Sequence, residues 1–309
     1  MKKVHTLAAV AALGMAVNAA SAALLVADGF NYPTGGLAGN ADVDYPTNPA
    51  TWAYTAASSQ LPGPVVVAGN TTYTGPGALA ALPGSNSGEF TAADNGAARI
   101  QLTSPATAFS QTANAGSSLY YSFTMSVSDI SKLSSGTGGS FTAGFNNSVG
   151  PQTSSPSAYA GVLCMNRDSA TATTFHLGVA QQQATGRTFS PNQYSLNDPL
   201  FVVVAYNFGA TPATDTADLY VFDSANGDAI PVSLPGSPTA HGAYTAEINA
   251  SVDSISSFSL RDNTGAMTAA VDDLRIGTSW ADVASVPEPA SIGLLGIAGL
   301  GLMRRRKPK

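Results

Sequence analysis

Residues 118–127 read SLYYSFTMSV. Leu119, Tyr121, Phe123, Met125 and Val127 alternate with Ser118, Tyr120, Ser122, Thr124 and Ser126, which are mostly hydroxylated. An apolar period of two with one polar face predicts a half-buried antiparallel strand, because successive side chains leave opposite faces of an extended chain. The same kind of run recurs at Arg99–Leu102, Phe141–Phe145, Ala158–Met165, Thr174–Val179, Leu200–Phe208, Ala217–Asp223, Ile255–Arg261 and Ala269–Ile276. Gly, Pro, Asn, Ser and Asp fill the gaps between these runs, as turns require. Phe201–Tyr206 is apolar on both faces and belongs in the middle of a covered sheet, with Asp215–Val221 as its hairpin partner. No long amphipathic helix is present, and Thr278–Ala284 allows one or two turns at most. Many short strands joined by turn-rich segments predict an all-β fold, an antiparallel sandwich or barrel, formed as one domain by residues 23–285.

Composition agrees with an exported β protein. Of 309 residues, 44% are hydrophobic and 10% charged, with 31 Gly and 19 Pro. The charge is unevenly placed. Lys2, Lys3, Arg304, Arg305, Arg306, Lys307 and Lys309 sit at the ends, leaving six cations (Arg99, Lys132, Arg167, Arg187, Arg261, Arg275) against 18 acids in residues 23–285, a net of −12. Nucleic acid is excluded as a partner of such a body, since its binding needs clustered cations.

The first 22 residues read as a cleavable export signal. Lys2 and Lys3 precede a short apolar stretch, Leu7–Val17, and Ala20-Ser21-Ala22 offers signal peptidase its small-x-small site. The apolar stretch falls well short of the ~20 residues that a spanning helix needs. Cys164 is the one cysteine, so no disulfide forms within the chain. It lies in an apolar strand-like run without a neighbouring base, and reads as a small core residue.

Residues 286–309 have three parts: Pro287-Glu288-Pro289, an apolar run of 14 residues from Ala290 to Met303, and a cluster headed by Arg304, Arg305 and Arg306. The prolines bar a helix and leave an extended segment open to a protease. The apolar run enters a bilayer only as a short span, with the cations holding its end on the cytoplasmic side. This arrangement resembles the PEP-CTERM sorting signal of Gram-negative bacteria. The resemblance implies recognition by an exosortase, a membrane-embedded cysteine protease, in species that make exopolysaccharide. It also implies transient anchoring in the inner membrane through a C-terminal hydrophobic helix, followed by delivery to the cell surface or extracellular matrix.

The central region resembles laminin-G-like, concanavalin-type jelly-roll domains. The resemblance is carried by Leu24–Phe30 as a first strand, the Val-rich run Phe201–Tyr206 with its Asp-x-x-x-Leu-Tyr-Val partner, Asp215 to Val221, and the closing Ala270–Val283. Asn31–Thr91 departs from that pattern, and reads as long loops with short strands at Trp52–Thr55 and Val65–Ala68. Two functions are compatible with such a sandwich. One is a non-catalytic structural module associated with glycan. The other is a polysaccharide-degrading enzyme with an unrecognised carboxylate pair, since glycoside hydrolysis needs two carboxyl groups. A Glu-x-Asp-x-(x)-Glu strand is absent, Glu89 and Glu247 stand alone, and no nucleophile triad or phosphate loop occurs, so no catalytic residue is assigned. His176 falls on the polar face of its strand, and His241 in a Pro- and Gly-rich loop. No cofactor is required by these motifs.

Asp272 poses a separate question. With Leu274 and Ile276 turned to the core, simple alternation turns Asp272 there as well. A buried carboxylate needs hydrogen bonds or a cation. Asp272 is therefore either a strand-end acid bonded to loop backbone, or a ligand of a structural Ca²⁺ shared with Asp28, with turn carbonyls completing an oxygen shell.

Overall fold

A computed structural model of the protein describes residues 23–40, 51–54, 63–79, 81–90, 96–103, 108–136, 138–149, 156, 158–182, 186–243, 254–261 and 266–284. The expected signal helix and C-terminal hydrophobic helix lie outside these residues. Among the described residues no helix is long and apolar enough to cross a membrane.

The architecture is the expected antiparallel β-sandwich. The larger sheet has nine strands, running from Ala240–Ala243 through Thr216–Asp223, Leu200–Asn207, Ser118–Asp129, Thr268–Gly277, Asn86–Phe90 and Val65–Ala68 to Gly35–Gly36. The first strand, Leu24–Asp28, joins it by pairing with Thr268–Gly277. That last long strand therefore lies centrally. One edge pairs along Ser118–Asp129, while the other is shared, Ala269–Val271 with Asn86–Phe90 and Leu274–Gly277 with Leu24–Asp28. The smaller sheet runs Thr188–Phe189, Thr174–Gln182, Tyr159–Asn166, Ser140–Asn146, Ser257–Arg261, Ala97–Gln101, Ala53–Tyr54, with Tyr194–Ser195 paired to Thr174–Gln182. Phe109–Ser110 and Ser254–Ile255 form a separate two-stranded ribbon.

The alternation in residues 118–127 sets the core. Leu119, Tyr121, Phe123, Met125 and Val127 all face the inter-sheet space and are buried. Tyr121 links the two layers. Its ring meets Phe258 at 4.9 Å and Phe145 edge-on at 5.2 Å, and its hydroxyl donates to the Gly161 carbonyl at 2.9 Å. Such contacts add directional stabilisation to the area they bury. At one edge the layers close: Ala240–Ala243 lies across from Thr174–Gln182, and a Cβ on Gly242 would sit 2.9 Å from the Val179 carbonyl oxygen.

The polar face of the 118–127 strand is not solvated as alternation alone suggests. Ser122 and Thr124 are buried. A second apolar cluster covers this outer face of the larger sheet, built from Phe201, Val203 and Ala205 beneath Tyr73, Ile230, Trp280, Val283 and Ala284. Phe201–Tyr206 is thus covered on both sides, as its sequence demands. The covering helix, Trp280–Ala284, is fixed by the Ser122 hydroxyl donating to the Val283 carbonyl (2.7 Å) and by Trp280 Nε1 donating to the Pro231 carbonyl (3.0 Å). Asp282 folds back over Gly277, where a Cβ would collide with it, and accepts from the backbone of Thr278 and Ser279. His241, expected in a loop, stands instead on the edge strand Ala240–Ala243, which short loop-like sequence disguises.

Candidate functional site

Charge is sorted between the sheets. The described strands of the smaller sheet carry Arg99, Arg261 and His176 and no carboxylate. Those of the larger sheet carry Asp28, Glu89, Asp129, Asp218, Asp223, Asp272 and Asp273, with Arg275 and His241. A carboxylate pair borne by the strands therefore has to belong to the larger sheet, whose outer face is roofed by the cluster around Trp280.

Asp28 is fully buried at the end of the first strand. It pairs with Leu274 and so faces the core. Its Oδ1 accepts from the Phe30 amide (2.7 Å), and its Oδ2 from the Tyr32 hydroxyl (2.7 Å) and Trp52 Nε1 (2.6 Å). Phe30 holds a φ of 53°, a left-handed conformation that turns the chain so that its amide and Tyr32 reach back to the carboxylate. Trp52 stacks on Phe30 with ring centroids 6.2 Å apart. The acid thus ties Tyr32 and Trp52 to the sandwich, a role that sequence reasoning missed because both lie in a stretch without periodicity.

Asp272 does not lie where alternation puts it. Asp272 pairs with Thr124 and Arg275 with Ser122, so three steps along one strand match two along the other. This is a β-bulge, with Asp273 at φ 55°. Val271 and Leu274 both face the core, whereas Asp272 shares the outer face with Thr124. The bulge falls where the strand changes partner from Asn86–Phe90 to Leu24–Asp28. Asp272 accepts from the Thr71 amide (3.1 Å) and the Asp273 amide (2.8 Å), and Asp273 accepts from the Leu82 amide (2.5 Å). The two acids clamp Thr71 and Leu82 onto the sheet. Burial, and then the charge of Asp273, push the Asp272 carboxyl up to about 7 against those hydrogen bonds, with Asp28 adding a smaller push.

Asp28 and Asp272 thus leave opposite faces of the larger sheet. The donors around Asp28 satisfy both its oxygens without an ion. Among the described residues no group of three or more His, Cys, Asp or Glu is placed to hold a metal.

The other singled-out side chains have structural partners. His176 places Nδ1 3.0 Å from the Ser190 carbonyl and Nε2 3.1 Å from Asp168, joining a loop to a turn. His241 Nδ1 meets Asp218 at 2.5 Å, and Asp218 also accepts from Asn207. Cys164 is buried, and burial pushes its thiol up to about 12, far from a reactive thiolate. Arg261 lies over the rings of Phe141 (5.2 Å) and Tyr159 (5.4 Å) on the outer side of the smaller sheet. Asp215 accepts from Tyr206 and the Gly209 amide. Asp223 accepts from the Ala225 amide and Asn226. Asp129 accepts from Ser131, whose amide and hydroxyl hold its carboxyl below the usual range.

Ala20, Ala22, Pro287, Glu288, Pro289, Arg304, Arg305 and Arg306 lie outside the described residues. No curated protein sequence matches the chain. Among solved structures it is similar to the globular domain of T. cruzi calreticulin, at 11% identity over 82% of this chain and 90% of that one, TM-score 0.39. It is also similar to peanut lectin, at 15% identity over 69% and 96%, TM-score 0.35. A third is the botulinum neurotoxin serotype G binding domain, at 9% identity over 81% of this chain, TM-score 0.38; the chain covers 47% of that one, about half its length. The PEP-CTERM protein-sorting motif matches residues 285–307, so this β-sandwich is followed, directly after its last described helix, by that sorting signal.

Proposed function

We propose that the protein is an exported, exosortase-processed component of the cell surface or extracellular matrix, whose sandwich, residues 23–285, is a non-catalytic structural or glycan-associated module. Signal peptidase cuts after Ala22. The segment 286–309 then holds the protein in the inner membrane until an exosortase acts at Pro287-Glu288-Pro289, and exopolysaccharide is the partner at the destination. The observation that carries this reading is the match of the sorting motif to residues 285–307. The use of described carboxylates as turn caps and loop clamps supports a module built for stability.

Replacing Pro287-Glu288-Pro289 by three alanines should leave export intact and stop C-terminal processing, keeping the protein in the membrane fraction. Immunoblots of fractionated cells report the change in size and location; a shortened product released as before would refute the sorting role. Glycan-array binding by the processed protein, measured beside hydrolysis of the host's own polysaccharide, tests the module itself. Binding without turnover is expected, and turnover would make it an enzyme.

A further inference from the structure

Among the described residues three large apolar side chains are exposed: Val149 (53%), Val232 (79%) and Leu234 (45%). Single exposed hydrophobes are ordinary, but two placed one residue apart form a local apolar point. Val232 and Leu234 sit between Pro231 and Pro235, whose rings restrict the backbone. The loop is anchored where the described chain stops. Ile230 packs with Val283 and Ala284, and the Pro231 carbonyl accepts from Trp280 Nε1 at 3.0 Å. After Ala284 only Ser285, Val286, Pro287, Glu288 and Pro289 precede the apolar run that starts at Ala290. Five residues reach at most ~18 Å even when fully extended. With the run in a bilayer, Ala284 and the loop beside it are confined close to the membrane surface.

From this placement we propose that Val232 and Leu234 dip into the bilayer interface while the tail is inserted, fixing which side of the sandwich faces the membrane. The occupant is lipid, at the boundary between headgroups and acyl chains, where a shallow apolar insertion gains free energy. Asp228 and Asp282, on the adjoining turn and helix, favour a zwitterionic over an anionic surface. The proposal rests on membrane residence of the sorting segment.

The test uses the full chain in phosphatidylcholine vesicles. Cys164 is buried, so Val232→Cys offers one accessible thiol for an environment-sensitive fluorophore. Val149→Cys is the control, because it follows Ser140–Asn146 in the other sheet. Flotation with the vesicles reports insertion of the tail. Lipids brominated along their acyl chains should quench the probe at 232 and leave that at 149 bright. Flotation with both probes unquenched, or both quenched alike, overturns the docked orientation and leaves the sorting reading standing. Failure to float overturns both.

Discussion

Asp28→Ala should lower the stability of the sandwich by about 3–6 kcal/mol, because it strands three buried donors at once, each costing ~1–3 kcal/mol when left unpaired. The Phe30 amide, the Tyr32 hydroxyl and Trp52 Nε1 all lose their acceptor. In a domain of this size, at roughly 2–4 °C per kcal/mol, the melting temperature should fall by about 6–24 °C. Trp52→Phe keeps the ring over Phe30 and removes one donor, so it should cost only ~1–2 kcal/mol. Thermal melts of the three proteins decide the matter. A melting point for Asp28→Ala within a degree or two of the parent would mean that the carboxylate does not organise the segment around Trp52.

Asp272 should make the protein less stable as the solution becomes more alkaline. Its carboxyl rises from the ordinary 3.8 to about 7 on folding, so between those values the folded chain holds a proton that the unfolded chain has released. Stability then falls with rising pH across that window, being fully present below pH 4 and lost by about pH 7. The full effect is on the order of 4 kcal/mol. Asp272→Asn cannot ionise, so the slope between pH 4.5 and 8 should flatten. Its gain at pH 8 should be smaller than the full effect, since an amide offers one acceptor for the two amides that Asp272 serves. Parallel pH profiles for parent and variant would refute the assignment. Calcium added to the same melts separates the other reading of Asp272: an ion ligated there would favour the carboxylate and remove the slope in the parent as well.

The fold was legible where the chain obeys a period. Leu119 to Val127 and Phe201 to Tyr206 show their core faces because every second residue reports its environment. The ends of the domain show the limits. Asp272 and Asp273 look like two more steps of an alternating strand, and only the pairing of Asp272 with Thr124 and Arg275 with Ser122 reveals the inserted residue that turns Asp272 outward. Asp is one of the residues that tolerates a left-handed backbone, which was a weak cue to a bulge. The partners of Asp28 were hidden for a different reason. Trp52 reaches it through tertiary packing across 24 positions, which no local pattern encodes, and Tyr32, four residues on, reaches it only because Phe30 turns the chain through a left-handed φ. The roof over the larger sheet was missed because Tyr73 and Ile230 each contribute one side chain from a separate loop, and Trp280, Val283 and Ala284 come from a helix of five residues, too short to show a period.

The central place of Thr268–Gly277 has a kinetic consequence. The larger sheet is held by a strand that leaves the ribosome after the other described strands. Until it arrives, Leu24–Asp28 and Asn86–Phe90 lack the neighbour that joins them to Ser118–Asp129, and their pairings span most of the chain. Contacts so distant in sequence form slowly. A chain that is still being synthesised thus stays open by virtue of its topology, and the larger sheet is joined only when its final described strand has emerged, with the sorting motif next in line.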